Sequence, residues 1–239
     1  MAWKLAVDIG TTKIKVGLGT TDIEKVWCKD TWEEALSIIE QYLDKVTTVF
    51  IISVRDTTVN ITPHRDKFVW LTKETPTPIQ WAYEGLGVDR RANVIAGHKM
   101  LGSPLLVIDM GTATTVDFLI DRKHEGGLIL PGVSYSCEFY HKKLPHLNIK
   151  PEFVITGQVP LIGRNTNECA AAGIVWGEVA RIEGIIQRFK QQTEGVKIIF
   201  TGGWGWLGAK FMGYRYDVHL TLRGILWISC DILSKWLEL

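Results

Sequence analysis

The sequence predicts an α/β protein built from two similar domains. Predicted strands and helices follow one another in a comparable order in the two halves of the chain. A motif made of an apolar run, Asp-x-Gly-Thr and a β-branched run occurs twice, once in each half. The 239 residues are 46% hydrophobic and 22% charged, which is enough apolar material for a substantial core.

The two copies of the motif read "LAVDIGTTKIKVG" over residues 5–17 and "LVIDMGTATTVDF" over residues 106–118. When the two copies are aligned, Asp8 is equivalent to Asp109, Gly10 to Gly111 and Thr11 to Thr112. One copy in each half indicates an internal duplication, which predicts two domains, at residues 1–102 and 103–239.

The first half begins with predicted strands at 4–9 and 14–18, joined by a tight turn. Thr31 and Glu34 fit a capping box, and apolar residues at helical spacing follow as far as Val46. A buried strand is predicted at 49–53. Prolines favour an irregular segment with short strands over 60–80, and residues 89–100 have helical character.

The second half repeats this order. The apolar patterns predict strands at 105–109, 115–120, 126–130 and 197–200. A long helix is expected over 167–190, capped by Thr166 or Asn167, and a final amphipathic helix over 225–237.

Composition excludes several classes of function. The 27 basic and 26 acidic residues give a net charge of +1 without a basic block, so we expect no nucleic-acid partner. No leader pattern and no apolar run of membrane-spanning length occurs, so we expect a cytoplasmic protein with no membrane contact. The four scattered cysteines are expected to be reduced and mostly buried.

The repeated motif suits the phosphate tail of a nucleotide. A carboxylate at a strand end can hold a cation, and a glycine turn lets a phosphate approach backbone N–H groups and threonine hydroxyls. Lys13 and Lys15 add positive charge in the first copy only. The first copy, with this added positive charge, therefore suits a phosphate tail. An ordinary hairpin turn is the alternative for either copy taken alone.

Other nucleotide-binding signatures are weak. The chain has no GxxxxGK[ST] sequence, and Gly17-Leu-Gly19 lacks the third glycine and the helix of a dinucleotide fingerprint. Three further segments combine glycine with polar residues before a helix or after a strand. Each of them alone is also typical of a turn or a helix cap: Gly87–Arg90, Gly163–Thr166 and Thr201–Gly203.

Taken together and in this order, the segments resemble the type III pantothenate kinases. The matching sequences are "DIGTTKIK" (8–15), "GVDRRAN" (87–93), "VIDMGTATTVD" (107–117), "GGLILPG" (126–132), "GRNT" (163–166) and "TGG" (201–203). The resemblance implies two duplicated RNase H-like domains of the actin-like ATPase type with an interdomain cleft. It also implies ATP-dependent phosphorylation of pantothenate, the first step of coenzyme A biosynthesis.

The resemblance also implies partners and residue roles. It implies a homodimer with active sites at the subunit interface, Mg²⁺ with ATP, and a monovalent cation, K⁺ or NH₄⁺. Asp89 matches the catalytic proton acceptor, and Gly87, Val88, Asp89 and Arg90 match the substrate-binding segment, with Thr166 reached across the dimer. Asp109 matches the monovalent-cation ligand and Asp8 the partner of magnesium or its waters. The ATP-binding positions implied are Asp8, Ile9, Gly10, Thr11, Thr12, Lys13, Ile14, Lys15 and Thr112.

The chain departs from the family pattern at three places. Thr11 stands where the family usually has Asn, and Trp204 follows "TGG" where an acidic residue is common. The proline of a Tyr-x-x-Pro element before GxDR is missing, and Tyr83 is displaced from the tyrosine's position, so we assign it no substrate contact. These departures leave the adenine-side contacts open.

Three alternative functions remain at this stage. Another small-molecule kinase of the same fold is one, although the GVDR and GRNT segments favour pantothenate. A catalytically inactive regulatory relative is the second, and the presence of Asp8, Asp89 and Asp109 argues against it. A zinc site formed by Cys137, His141 and His146 is the third, and it lacks a fourth ligand nearby.

Overall fold

A computed structural model describes residues 2–55, 65–144 and 158–237 of the chain, and these residues form an α/β fold as predicted. A short 3-10 helix at Arg65–Lys67 accompanies the other elements. In chain order these are β1 (Lys4–Ile9), β2 (Ile14–Gly19), β3 (Ile23–Lys29), α1 (Trp32–Glu40), β4 (Thr48–Ser53), β5 (Phe68–Trp70), α2 (Val88–Leu101), β6 (Leu105–Met110), β7 (Ala113–Ile120), β8 (Lys123–Pro131), α3 (Val133–Lys143), α4 (Thr166–Gln192), β9 (Lys197–Thr201), α5 (Trp206–Met212), β10 (Arg215–Tyr216) and α6 (Leu220–Leu237).

The described strands form two five-stranded sheets with equivalent strand orders. The first sheet runs β3-β2-β1-β4-β5 and the second, written from its other edge, runs β8-β7-β6-β9-β10. In the first sheet β1 pairs antiparallel with β2 and parallel with β4, and in the second β6 pairs parallel with β9. The strands that carry the two motif copies therefore hold the same central position, which confirms the duplicated fold.

The core of the first sheet follows from the apolar runs in the sequence. Every residue of β1 is buried, because β1 lies between two neighbouring strands in the middle of its sheet. Helix α1 contributes Ala35 and Ile39 to the same core, together with apolar residues of β2 and β4. The Thr31 hydroxyl accepts a hydrogen bond from the Glu34 N–H at 3.3 Å, so the predicted cap of this helix is confirmed.

The two compact units of the chain are not continuous halves. The first contains residues 1–103, 119–126 and 219–239, and the second contains 104–118 and 127–218. Helix α6 therefore belongs to the first unit, where the Thr221 hydroxyl donates to Asn93 Oδ1 of α2 at 2.8 Å. The division at 102/103 stays a prediction about the two repeats.

Several elements differ from the sequence prediction. Strands β3 and β10 and helices α3 and α5 were not predicted, because short or partly exposed segments carry weak periodicity. The cap of α4 is Asn165, whose side chain accepts from the Glu168 N–H at 3.0 Å, so the assignment to Thr166 or Asn167 is wrong. Asn165, Thr166 and Asn167 are all residue types that cap helices, so the sequence alone does not identify which of them is the cap.

The cysteines are less buried than expected. Cys28 and Cys169 are exposed and Cys137 is partly exposed, which makes the prediction of mostly buried thiols wrong for these three. Cys28 lies on β3, which is the edge strand of the sheet formed by the described residues. No cluster of three or more His, Cys, Asp or Glu side chains suited to a metal occurs in the described part of the chain, and His146 lies outside it.

The described residues contain no candidate membrane-spanning helix. None of the helices formed by residues 2–55, 65–144 and 158–237 has both the length and the apolarity of a membrane span.

We predict that Gly224→Ala destabilises the protein by roughly 1–3 kcal/mol, the usual cost of overpacking. A Cβ at this position of α6 would lie 2.1 Å from the Ala92 carbonyl oxygen of α2, which is backbone and cannot turn aside. Urea unfolding measures the change.

The matched control is Gly177→Ala in helix α4. Outside the backbone of the helix itself, no described atom lies within 4 Å of a Cβ there, so alanine should raise stability by about 0.5–1 kcal/mol through its better helix propensity. Equal stability changes for the two variants would contradict the close packing of α2 and α6.

Candidate active site

The first motif copy forms a four-residue turn between β1 and β2. Asp8 is the penultimate residue of β1, lies opposite Lys15 of β2, and is buried. The Gly10 N–H donates to the Lys13 carbonyl oxygen at 3.0 Å and closes the turn. Thr11, Thr12 and Lys13 are exposed, so the turn lies at the surface of the first unit. This arrangement suits contact with an anion.

The charges around this turn differ from the sequence prediction in one respect. The Lys13 ammonium forms an ion pair with Asp30, and that hydrogen bond raises the pKa of Lys13. A second cation, which the motif does not contain, lies beside the turn: Arg55 Nη2 donates to the Thr11 carbonyl oxygen at 2.6 Å. No signal in the sequence near Arg55 indicates this contact, because Arg55 lies 44 residues away in the chain.

The second predicted segment forms the start of helix α2. Gly87 is its N-cap, and Asp89 lies in the first helical turn, where the helix dipole favours a carboxylate. One carboxylate oxygen of Asp89 accepts from the Arg90 N–H at 2.8 Å, while the residue remains partly exposed. The Arg90 side chain is buried, and its Nη1 donates to the Tyr83 hydroxyl at 3.0 Å. Sequence reasoning left Tyr83 unassigned, and the structure places it against this segment.

Arg91 shapes the loop that precedes helix α2. It donates to the carbonyl oxygens of Leu86 at 3.2 Å, Glu84 at 2.9 Å and Lys73, and it stacks over the Trp81 ring at 5.1 Å. Burial lowers the pKa of this guanidinium. A cavity of about 470 Å³ opens beside it, and its lining consists of Lys73, Glu74, Trp81, Tyr83, Glu84 and Arg91.

In the second unit, the segment after β9 folds against the carboxylate of the second motif copy. Asp109 pairs with Thr201 across β6 and β9. Gly202 has a φ of +83°, and a Cβ there would lie 2.4 Å from Asp109 Oδ1. Tyr216 donates to the Gly202 carbonyl at 3.0 Å. Burial raises the pKa of this phenol, and the charges of Asp217 and Asp109 raise it further.

The turn that contains Thr112 is shorter than the first turn. Only Gly111 and Thr112 separate β6 from β7, and the Gly111 N–H donates to the Ala113 carbonyl at 3.0 Å. The start of helix α3 packs directly on this turn, since a Cβ at its N-cap Gly132 would lie 2.4 Å from the Thr112 carbonyl. Asp109, Thr112 and the "TGG" segment are therefore brought together within the second unit.

An ion pair whose acid is buried and whose arginine is partly exposed lies next to these strands. Glu178 of α4 accepts from the Thr114 hydroxyl at 3.1 Å and pairs with Arg181, which also donates to the Pro131 carbonyl at 2.8 Å. Burial raises the pKa of Glu178. The pair connects α4 to the first residues of β7 and the last residue of β8. The regular apolar spacing of α4 gave no reason to single out these two polar residues.

Thr166, the last predicted site residue, is the exposed first residue of helix α4. Its neighbours make local hydrogen bonds: besides the Asn165 cap, the Arg164 N–H donates to Glu168 Oε2 at 2.8 Å. The helix start is therefore well ordered by its own capping groups, and Thr166 is accessible in the described chain.

The fold and these turns define the class of the protein. Two sheets of equivalent strand order, each with an Asp-x-Gly-Thr turn after its central strand, are typical of actin-like ATPases and the related sugar kinases. The sequence profile of the type III pantothenate kinases matches residues 4–188. The chain belongs to that family, whose members are phosphotransferases.

Individual relatives agree with this assignment. A type III pantothenate kinase from Persephonella marina is 29% identical over an alignment of 248 positions, and the match covers 92% of this chain and 96% of the relative. A type III pantothenate kinase from Bacillus cytotoxicus is 37% identical over 144 residues, 59% of this chain and about half (54%) of that relative's length.

Solved structures show the same fold. A Campylobacter jejuni protein assigned to the Baf family of transcriptional activators superposes with a TM-score of 0.65 at 25% identity, covering 96% of this chain and 99% of that one. The activator of 2-hydroxyisocaproyl-CoA dehydratase from Clostridium difficile, solved with ADPNP bound, gives 0.57 at 11% identity, covering 99% and 98%. The second likeness concerns the fold alone.

We predict that Gly202→Ala lowers phosphotransfer activity at least about tenfold. Alanine would have to adopt the left-handed backbone of Gly202, and such strain costs on the order of 1–3 kcal/mol. Its Cβ would also displace the Asp109 carboxylate. Steady-state kinetics and thermal unfolding measure both effects.

The control is the adjacent Gly203→Ala, where no described atom other than those of its chain neighbours lies within 4 Å of a Cβ. This variant should keep activity and stability close to those of the unmodified protein. If Gly202→Ala behaves in the same way as Gly203→Ala, the close approach at Asp109 has no functional consequence.

Proposed function

We propose that this chain transfers the γ-phosphoryl group of ATP to the primary hydroxyl of pantothenate, giving 4'-phosphopantothenate in the first step of coenzyme A biosynthesis. The main support is the Asp89 carboxylate, which is partly exposed and accepts a hydrogen bond from the Arg90 N–H at 2.8 Å. It lies in a chain that belongs to the type III pantothenate kinase family.

ATP would bind through the turn at residues 10–13. The exposed Thr11 and Thr12 and the turn N–H groups can donate to phosphate oxygens, as P-loop backbones do in other folds. Asp8 suits a magnesium ion, or its water shell, because Mg²⁺ prefers oxygen ligands and is usually held by one or two carboxylates plus phosphates. Magnesium there would neutralise phosphate charge.

The Asp109 carboxylate suits a monovalent cation. It lies beside the Gly202 backbone and raises the pKa of the Tyr216 phenol by its charge, so it contributes negative potential to a site rich in oxygen atoms. K⁺ or NH₄⁺ would be attracted to that potential. Thr112, in the adjacent turn, is the proposed hydroxyl contact to ATP.

The acceptor would bind at Gly87, Val88, Asp89 and Arg90, with Thr166 as a further contact. Arg90 carries positive charge that the pantothenate carboxylate or the phosphoryl group can use, and its contact with Tyr83 fixes the orientation of the guanidinium. Arg91 holds the preceding loop through three carbonyl oxygens, so the loop that presents Tyr83 has a defined shape.

The proposed reaction is a direct transfer. The pantothenate hydroxyl oxygen forms a bond to the γ-phosphorus while the bond between that phosphorus and the β,γ-bridging oxygen breaks, and ADP leaves. A carboxylate is too weak a base to deprotonate an alcohol beforehand, so Asp89 orients the hydroxyl and accepts its proton late in the transfer. Positioning and charge stabilisation supply the rest, because the transition state is loose.

We also propose that the active protein is a homodimer joined through the second unit. Seven large apolar side chains of this unit are exposed among the described residues, and exposed apolar surface marks protein interfaces. We assign six of them to the interface. They are Leu128, Ile129, Tyr135, Phe139, Leu161 and Ile162. Leu161 and Ile162 directly precede the "GRNT" segment, so a dimer formed here would bring Thr166 close to the interface. The cytoplasmic location stays a prediction.

We predict that Asp89→Asn lowers kcat by about 10²–10⁴, the usual contribution of a general base, while ATP affinity stays within about twofold. Loss of the proton acceptor affects the transfer step, not nucleotide binding. Coupled measurement of ADP release with pantothenate, with and without K⁺ or NH₄⁺, gives kcat and the cation requirement.

Asp44→Asn is the control, since Asp44 is an exposed acid of the same unit. It should have unaltered kinetics. Near-normal turnover by the Asp89→Asn protein would remove Asp89 from the mechanism, and turnover with sugars but not pantothenate would identify a different kinase.

We predict that Ile129→Lys and Ile162→Lys each weaken self-association at least about tenfold, because a lysine must be desolvated at the interface. Sedimentation measures the shift from a dimer to the 26.9 kDa monomer. The control is Gln191→Lys, an exposed position near the end of α4 in the same unit. A protein that is monomeric before substitution would refute the dimer.

A further inference from the structure

The segment after strand β4 lies beside the turn of the first motif copy. Strands β1 and β4 are parallel, so their carboxyl ends meet at the same edge of the sheet. The pairing continues for one residue past β4, where the Val54 N–H donates to the Ile9 carbonyl at 3.1 Å. Arg55, the next residue, therefore starts next to the turn at residues 10–13.

A local turn fixes the backbone of Arg55. The Ser53 hydroxyl donates to the Arg55 carbonyl at 2.9 Å, and the Arg55 N–H donates to the same hydroxyl at 3.1 Å. These two hydrogen bonds hold the Arg55 backbone in place at the end of β4. Because the backbone is already ordered, less conformational entropy is lost when the side chain binds a ligand.

The Arg55 guanidinium is only partly satisfied. Its Nη2 donates to the Thr11 carbonyl at 2.6 Å. Its Nε is buried and has no hydrogen-bond partner. A buried donor without an acceptor is costly, and guanidinium has five N–H donors in all. The orphaned Nε–H is an independent indication that an acceptor is missing at this position.

The charge of Arg55 is also available. Lys13 of the turn is already paired with Asp30. Across the described parts of the chain, Arg55 forms no ion pair with a carboxylate within 4.0 Å. A fixed guanidinium with open donors is the side chain best suited to bind a phosphate oxygen by charge-assisted hydrogen bonds.

We propose that Arg55 is a nucleotide-binding residue that contacts a phosphate group of the nucleotide held at the turn of residues 10–13. This inference rests on the proposed function, because it takes that turn as the phosphate site. Arg55 has two tasks in it. One donor fixes the Thr11 carbonyl and with it the direction of the turn N–H groups, and the remaining donors and the charge bind the anion.

The test compares nucleotide affinities of the full-length protein by calorimetry, without pantothenate, for Arg55→Gln and Arg55→Lys. Glutamine can still donate to the Thr11 carbonyl but has no charge, whereas lysine keeps the charge and loses the planar fork. We expect ATP and ADP to bind about tenfold more weakly to Arg55→Gln and about threefold more weakly to Arg55→Lys. Adenosine should bind all three proteins equally.

The salt dependence of ATP affinity distinguishes a direct contact between Arg55 and a phosphate from a purely structural role of Arg55. A contact between opposite charges is screened, so ATP affinity of the unmodified protein should fall more steeply with added salt than that of Arg55→Gln. The control Arg122→Gln removes an exposed arginine of the same unit and should leave both affinity and salt dependence unchanged.

Three outcomes overturn the inference. They are equal ATP affinity in all proteins, equal losses for Gln and Lys with an unchanged salt dependence, and parallel losses for ATP and adenosine. Urea unfolding checks that each variant folds, and if Arg55→Gln does not, Arg55→Lys and the salt dependence of the unmodified protein decide. Failure of the proposed function appears separately, as nucleotide binding that responds to Arg55 without pantothenate turnover.

Discussion

Both candidate sites depend on the parallel pairing of a central strand with a strand from later in the chain. In the first sheet β1 pairs with β4, and in the second β6 pairs with β9. Each pairing brings the residues after the later strand beside an Asp-x-Gly-Thr turn. Arg55 therefore reaches the Thr11 carbonyl, and Gly202 lies against Asp109. The same topology thus supplies a different functional group to each copy of the motif.

This difference explains how duplicated halves can take different roles. The first turn carries cations, because Lys13, Lys15 and Arg55 all lie on or beside it. The second has a carboxylate next to a glycine backbone and a phenol whose pKa is raised. Its turn is also two residues long, where the first has four. An anion suits the first environment and a cation the second, which supports separate roles for phosphate and monovalent-cation binding.

Arginines that make several hydrogen bonds give both units much of their local order. Arg91 binds three carbonyl oxygens of the loop before α2, and Arg181 joins a strand-end carbonyl to the buried Glu178. Irregular segments cannot pair their own carbonyl groups, so a guanidinium with several donors satisfies them at one point. Residues that support a site in this way lie close to it without belonging to any recognisable motif.

The sequence by itself determined the fold class, the family and most of the strands and long helices, because apolar periodicity and a repeated short motif are local properties. The thirteen-residue repeat alone indicated the duplication that the equivalent strand orders confirm. Only the tertiary structure decided that α6 belongs with the first unit, that Tyr83 contacts Arg90 and that Arg55 meets Thr11. The last contact joins residues 44 positions apart, and no local pattern records which strand lies next to which. The packing of a shared core determines which strands are neighbours, so the contacts that complete each site can be identified only in the folded chain.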